Sequence, residues 1–236
     1  MSLRDRLSEA VSGVNPFLGT PATDPGPSGP AVATDLGEGG RLYVRGPAIP
    51  VGCAPLTEPP VLGRASMPPD TAVAIAGCHG GAGASSLVTA LSPHFDAFDM
   101  GQSWPQPQPD NESEPIVLLV ARTTGHGLDA AHNAVREWGS RAVPWVRLAG
   151  LVLVADAPHP HPDLRDRIEA VASAAPHGWF LPWQEQWRPL PVTERPMSRL
   201  GLGRRIVTSI ANKIKDLSSD SQPANQTGQH ERTPER

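Results

Sequence analysis

Residues 71–90, TAVAIAGCHGGAGASSLVTA, carry an apolar strand straight into a glycine-rich turn and on into the start of a helix. Proteins hold phosphates with this arrangement. Gly80, Gly81 and Gly83 let the backbone aim its N–H groups inward as an anion nest, and the helix that follows adds the positive end of its dipole. One residue departs from the pattern. A working phosphate loop follows its last glycine with Lys and then Ser or Thr, whereas here Gly83 is followed by Ala84 and Ser85. The cradle is kept and its charge is lost. Ser85 can still place a hydroxyl on a magnesium ion. The plainer alternative is a glycine-rich strand-to-helix turn that holds no ligand.

The strand signal repeats along the chain. Segment 94–101, HFDAFDMG, reads as a short strand ending in acids, and 177–183, HGWFLPW, as a last short strand. Segments 115–122, PIVLLVAR, and 148–156, LAGLVLVAD, are continuous apolar runs of the kind buried on both faces of a parallel sheet. Helical patterning covers 85–91, 128–140, 162–176 and part of 199–217. Leu128, Ala131, Val135 and Trp138 share one side of the second of these helices, and Pro162 and Asp163 suit the first turn of the third. Strands alternating with helices predict an α/β fold. Its sheet is mostly parallel with helices on both faces, of the P-loop or Rossmann-like kind. Ligands of such sheets bind at the carboxyl ends of the strands near the switch point, which is where the glycine loop falls.

The chain is 236 residues long, but 28 Pro and 23 Gly argue for less folded mass than that length allows. The expected domain spans 69–217. Before it, 15–68 reads as a disordered Pro/Gly-rich arm that cannot bury enough apolar surface to offset chain entropy. Its most apolar part, RLYVRGPAIPVG at 41–52, is the piece placed to lie against the domain. Residues 1–14 form a predicted short helix with Leu3, Leu7 and Val11 at helical spacing, capped by Ser2 and ended by Gly13. Residues 218–236 read as a disordered tail, and 102–115 as a polar, proline-rich loop.

The loop resembles the deviant Walker A sequence of the ParA/MinD-type ATPases, KGGxGKTT. In CHGGAGASS, His79 stands at the family's signature lysine, and Gly80, Gly81 and Gly83 at its glycines. Ala82 takes the variable position, Ala84 that of the phosphate-binding lysine, and Ser85 and Ser86 those of the two threonines. More weakly, HFDAFDMG is similar to the segment whose acids serve magnesium and water, which implies roles for Asp96 and Asp99 beside Ser85. PIVLLVAR with TTGHGLDAAHNAV is similar to a family strand and the loop after it, LAGLVLVADAP to the strand leading toward the base, and WFLPW to the final strand. The resemblance covers 71–217 and is specific only in the nine-residue loop. It implies binding of ATP or another nucleotide with Mg2+. The two lysines of the family neutralise phosphate oxygens, and losing such charge costs several kcal/mol, or about a thousandfold in rate. His79 restores charge only when protonated. The expectation is a nucleotide-binding pseudo-ATPase that acts as a binding or scaffold component, in partitioning, conjugation or secretion machinery by family analogy. The enzyme alternative is a slow or partner-activated ATPase, with a lysine from a partner subunit or help in cis from Arg122, Arg141 or Arg147. A further alternative is a dinucleotide-binding Rossmann protein, from the looser Gly81, Gly83, Ser86 spacing with Asp96 or Asp99 on a ribose.

Other features fit binding more than chemistry. His159 and His161 alternate in DAPHPHPD, but the prolines and the lack of further ligands favour a solvated turn over a metal site. Asp156 ends a buried strand at the ligand edge. No GxSxG is present, and Ser85 has no evident hydrolase partners. Of the tryptophans at 104, 138, 145, 179, 183 and 187, Trp138 and Trp179 read as core, and Trp183 and Trp187 as a partner interface. Ile206, Ile210 and Ile214 stripe the terminal helix, so 204–217 reads as a helix packed on the sheet, with a peripheral membrane contact as the alternative. A protein partner is expected at the terminal helices or the Trp-rich segment, and a homodimer fits the family. A net charge of -4 gives no nucleic-acid signal. Cys53 and Cys78 suggest neither a disulfide framework nor zinc. With no signal-peptide core or spanning segment in the sequence, the expected place is the cytoplasm of a bacterium, at the membrane periphery if the terminal helix binds lipid.

Overall fold

The computed structural model describes residues 43–54, 62–107, 114–159, 161–187, 189–191 and 202–220. All lie in one unit, Ala33–Arg236, and the other unit, Met1–Val32, falls outside the described residues. The predicted helix carrying Leu3, Leu7 and Val11 therefore lies outside them, as do residues 221–236 of the expected tail.

Eight strands are described. They are β1 (Tyr43–Arg45), β2 (Gly63–Ala65), β3 (Val73–Gly77), β4 (Ala97–Asp99), β5 (Ser103–Pro105), β6 (Ile116–Arg122), β7 (Arg147–Val154) and β8 (His177–Leu181). The helices are α1 (Ala84–Leu91), α2 (Gly125–Gly139), α3 (Arg165–Ser173) and α4 (Leu202–Asp220), with 3-10 turns at Pro162–Leu164 and Glu185–Trp187. Six strands form the main sheet in the order β1-β8-β7-β6-β3-β4, while β2 and β5 make a separate parallel pair. Every neighbour pair in the main sheet is parallel except β1 with β8. The class is α/β with a mostly parallel sheet, as the alternating apolar runs predict.

The layering follows from handedness. The step from β3 to β4 runs toward one edge of the sheet, and the steps from β6 through β7 to β8 run toward the other. Right-handed crossovers then put α1 on one face and α2 and α3 on the opposite face. Contacts agree: α1 touches α4, and α2 touches α3. Between the layers β6 and β7 are buried almost throughout, with Leu118, Leu119, Leu151 and Leu153 fully enclosed. Continuous rather than alternating hydrophobicity is what a strand covered on both faces requires.

The folded region starts earlier than residue 69. Part of the arm read as disordered is built into the domain, because Tyr43 gives β1 something to bury. Its ring stacks on His177 and lies against Trp179, with centroids 5.8 Å apart in each pair. Beyond β1, the Gly46 amide donates to the Pro176 carbonyl and the Gly52 amide to the Gly139 carbonyl. The polar segment read as a loop also holds a strand. Trp104 in β5 is fully buried, and its indole N–H donates to Glu137 on α2 (2.9 Å).

The terminal helix settles on the sheet over β6, β7 and β8. Ile206, Ile210 and Ile214 are 4%, 0% and 1% exposed. The stripe read as a lipid-facing alternative, and as an interaction surface, is core. Trp179 ties β8 to the same helix through a hydrogen bond to Ser209 (3.1 Å). Among the described residues, no helix is long and apolar enough to cross a membrane.

Candidate functional site

β3 and β6 are neighbours, yet the chain leaves them in opposite directions across the sheet. That divergence opens a crevice at their carboxyl ends, the switch point where α/β sheets bind ligands. The loop 78–83 begins there. Gly81 and Gly83 adopt φ of 74° and 103°, in the left-handed region that a Cβ disfavours. Gly83 is also the N-cap of α1 and offers no capping side chain. The first bond of the helix runs from the Leu87 amide to the Gly83 carbonyl, so the amides before it are not used within the helix. Among the described residues, the Gly80, Gly81, Gly83 and Ala84 amides have no protein acceptor. A side chain built at Gly81 would meet nothing within 4 Å. The loop opens into a cavity of about 390 Å³ lined by its own residues with Asp99, Gln102 and Arg122.

Asp99, at the end of β4, accepts the Ser85 hydroxyl on one oxygen (2.5 Å) and the Gly101 amide on the other (2.9 Å). Ser85 and Asp99, both expected as magnesium ligands, are thus brought together. Asp96 does not join them. It sits exposed at the amino end of β4, its carbonyl capping the start of β3 by accepting from the Ala72 and Val73 amides. Three residues of extended chain span about 10 Å, so the two acids fall at opposite ends of the strand. Asp96 is withdrawn as a metal ligand and as a ribose ligand.

His79 has both ring nitrogens engaged by backbone. The Arg122 amide donates to Nε2 (3.0 Å), and Nδ1 donates to the Gly80 carbonyl (2.9 Å). An amide can only donate and a carbonyl only accept, so in this geometry Nε2 is the acceptor and Nδ1 the donor. His79 thereby ties the loop to β6. It stands edge-on to His126 with ring centroids 5.7 Å apart.

Of the three arginines considered for help in cis, only Arg122 reaches the loop. Its Nε donates to the Gly81 carbonyl (3.3 Å) and its Nη1 to the Ala155 carbonyl (3.1 Å). Arg141 follows α2, at the end away from the loop. Arg147 opens β7 and is held by the Leu217 carbonyl and Asp220. The chain has just two lysines, Lys213 and Lys215, both on α4. Lys213 lines a different cavity, beside Arg45 and His177.

A second cavity of about 590 Å³ continues from the loop. Its walls include His126, Val154, Asp156, Pro182, Trp183 and Trp187. Asp156 therefore lies at the ligand edge as predicted, exposed, with its amide bonded to Thr123 (3.1 Å). Trp187 is 7% exposed and belongs to the core, against its reading as an interface residue. Trp183 is half-buried, and its indole N–H donates to Glu185 (2.6 Å). Both tryptophans face the loop crevice, because β8 is parallel to its neighbours and delivers 182–187 to the same edge.

Metal chemistry finds little support elsewhere. His161 accepts the Asp163 amide in an exposed turn, and no three potential metal ligands gather among the described residues. Burial pushes the Cys78 thiol up to about 12, so the cysteine of the loop is no nucleophile. Neither cysteine forms a disulfide. The anchoring of Arg122 and the backbone bonds of His79 are the features that sequence reasoning left undecided. The cue was the β6 carboxyl end falling beside the loop. No protein-family model matches the chain, and no curated protein matches it in sequence.

Proposed function

We propose that the loop from His79 to Ser86 is the phosphate cradle of a nucleotide-binding protein related to the ParA/MinD-type ATPases. It works as a weak or non-hydrolysing binding component rather than as an efficient ATPase. The observation that carries this reading is that the Gly80, Gly81, Gly83 and Ala84 amides have no acceptor among the described residues, on a loop that lines a cavity at the switch point of the sheet. A phosphate on the nest would accept from these amides and meet the positive end of α1. The donor set fits magnesium in part. Ser85 and Asp99 offer two oxygens on adjacent elements, and Mg2+ takes its remaining ligands from water and phosphate. The adjoining cavity has room and apolar walls for the rest of a nucleotide. Weak catalysis follows from Ala84 and from a His79 whose ring nitrogens are both spent on backbone, since phosphoryl transfer depends on charge placed where it develops. A role in partitioning, conjugation or secretion machinery rests on family analogy alone.

The test is isothermal titration with ATP, with and without magnesium, on the native chain and on Ala84→Lys, together with a phosphate-release assay. Ala84 lines the loop cavity but is only 9% exposed, so a lysine there reaches the cavity from a nearly buried Cβ. One added charge-assisted contact should tighten binding about 10- to 100-fold. No binding by either protein refutes the cradle. Ordinary ATPase turnover by the native chain refutes the non-hydrolysing role.

A further inference from the structure

We propose that the Arg122 guanidinium is the cation of the glycine-loop site, standing in for the lysine that Ala84 replaces, and that it binds a phosphate group resting on the loop. This inference rests on the phosphate reading above. The side chain leaves the carboxyl end of β6, beside β3 across the switch point, and lines both the loop cavity and the cavity next to it.

Carbonyls from two different elements hold the guanidinium, Gly81 in the loop and Ala155 just after β7. Among the described residues no carboxylate comes within ion-pair distance, whereas Arg147 and Arg167 are paired with Asp220 and Asp129. Asp156 lines the adjoining cavity without pairing to it. Asp99, the acid of the loop cavity, is taken up by Ser85 and Gly101. Carbonyl acceptors orient a guanidinium without neutralising it. Two of its five N–H donors are spent on them, and the others stay available in a planar fork that matches phosphate oxygens.

Of the described residues that line the loop cavity, Arg122 alone carries a permanent positive charge, and both lysines of the chain ride on α4. Moving the cation from the loop helix to the neighbouring strand keeps a positive charge at the cradle but changes its direction of approach.

The test is titration of the full chain with ATP and, separately, with inorganic tripolyphosphate, in the absence of magnesium. The proteins are the native chain, Arg122→Gln, and Arg122→Gln combined with Ala84→Lys. Loss of a charge-assisted contact should weaken binding of both probes about 10- to 100-fold in Arg122→Gln, and the double variant should recover most of it. If the native chain binds neither probe, the phosphate reading falls and this inference falls with it. If the native chain binds and Arg122→Gln binds equally well, only the role of Arg122 falls. ATP binding more tightly than tripolyphosphate would assign the adjoining cavity to the nucleoside, and the Arg122 dependence must appear with both. Should Arg122→Gln fail to fold, phenylglyoxal labelling of the native chain decides: saturating tripolyphosphate must slow modification at Arg122, and an unchanged rate overturns the proposal.

Discussion

Acid should loosen the edge strand β1 through one histidine. His177 is 7% exposed, and Nδ1 accepts the Tyr43 hydroxyl (2.5 Å) across the β1–β8 pair. Burial, then Lys213 and Arg45, push its pKa down from 6.5 to about 4. The folded protein therefore binds fewer protons here than the unfolded chain between those two values. Stability contributed by neutral His177 is complete above pH 6.5 and is lost as pH falls toward 4. For these two values the linkage relation gives a loss on the order of 2 kcal/mol between pH 8 and pH 5. Urea unfolding followed by tryptophan fluorescence measures it, since Trp179 packs on the His177 ring at 5.5 Å. His177→Gln keeps an acceptor for Tyr43 and has no proton to gain. The native chain should lose about 2 kcal/mol more than the variant over that interval. His132 is depressed as well, by burial and then by Arg136 and Arg167, but it is common to both proteins and cancels. Equal losses in the two proteins would refute the reasoning.

Two further perturbations probe the frame around the site. Gly127→Ala builds a Cβ 2.2 Å from the Arg122 carbonyl oxygen and 3.0 Å from His79 Nε2, so the start of α2 or the histidine strut must move. We expect a loss of about 2 kcal/mol, roughly 5 °C in Tm by scanning calorimetry, and an unchanged Tm would show that the two segments are not locked. Ile210→Ala removes a side chain that is 0% exposed; it should destabilise by about 2–5 kcal/mol in denaturant melts, against roughly zero for exposed Lys215→Ala. Vesicle co-sedimentation of the intact chain that disappears in Ile210→Ala, at unchanged stability, would instead return α4 to the membrane.

The long elements were legible because each carries its own signal. β6 and β7 are apolar from end to end apart from a terminal arginine each, and α4 repeats Ile206, Ile210 and Ile214 on one face. The short edge strands were not. β1 and β5 have three residues each, too few for period-two alternation to register, and their pairing is decided by distant partners such as Trp179 and Glu137. The same limit applies to the site. The glycine spacing announced the loop, and the resemblance pointed to Asp99 beside Ser85. Asp96 was misplaced because its type alone does not tell which end of a strand faces the crevice. The state of His79 depends on a hydrogen bond from Arg122, 43 positions along the chain, and no local pattern encodes that.

The histidine strut has a thermodynamic consequence. A loop that orders only around its ligand spends part of the interaction free energy on its own conformational entropy. Here Nδ1 and Nε2 of His79 fasten the turn to itself and to β6 beforehand. Occupancy of the nest would then leave backbone flexibility nearly constant. Binding at this loop should register as a heat, a salt dependence and new exchange protection confined to the amides that meet the phosphate, with little change in the segments around them.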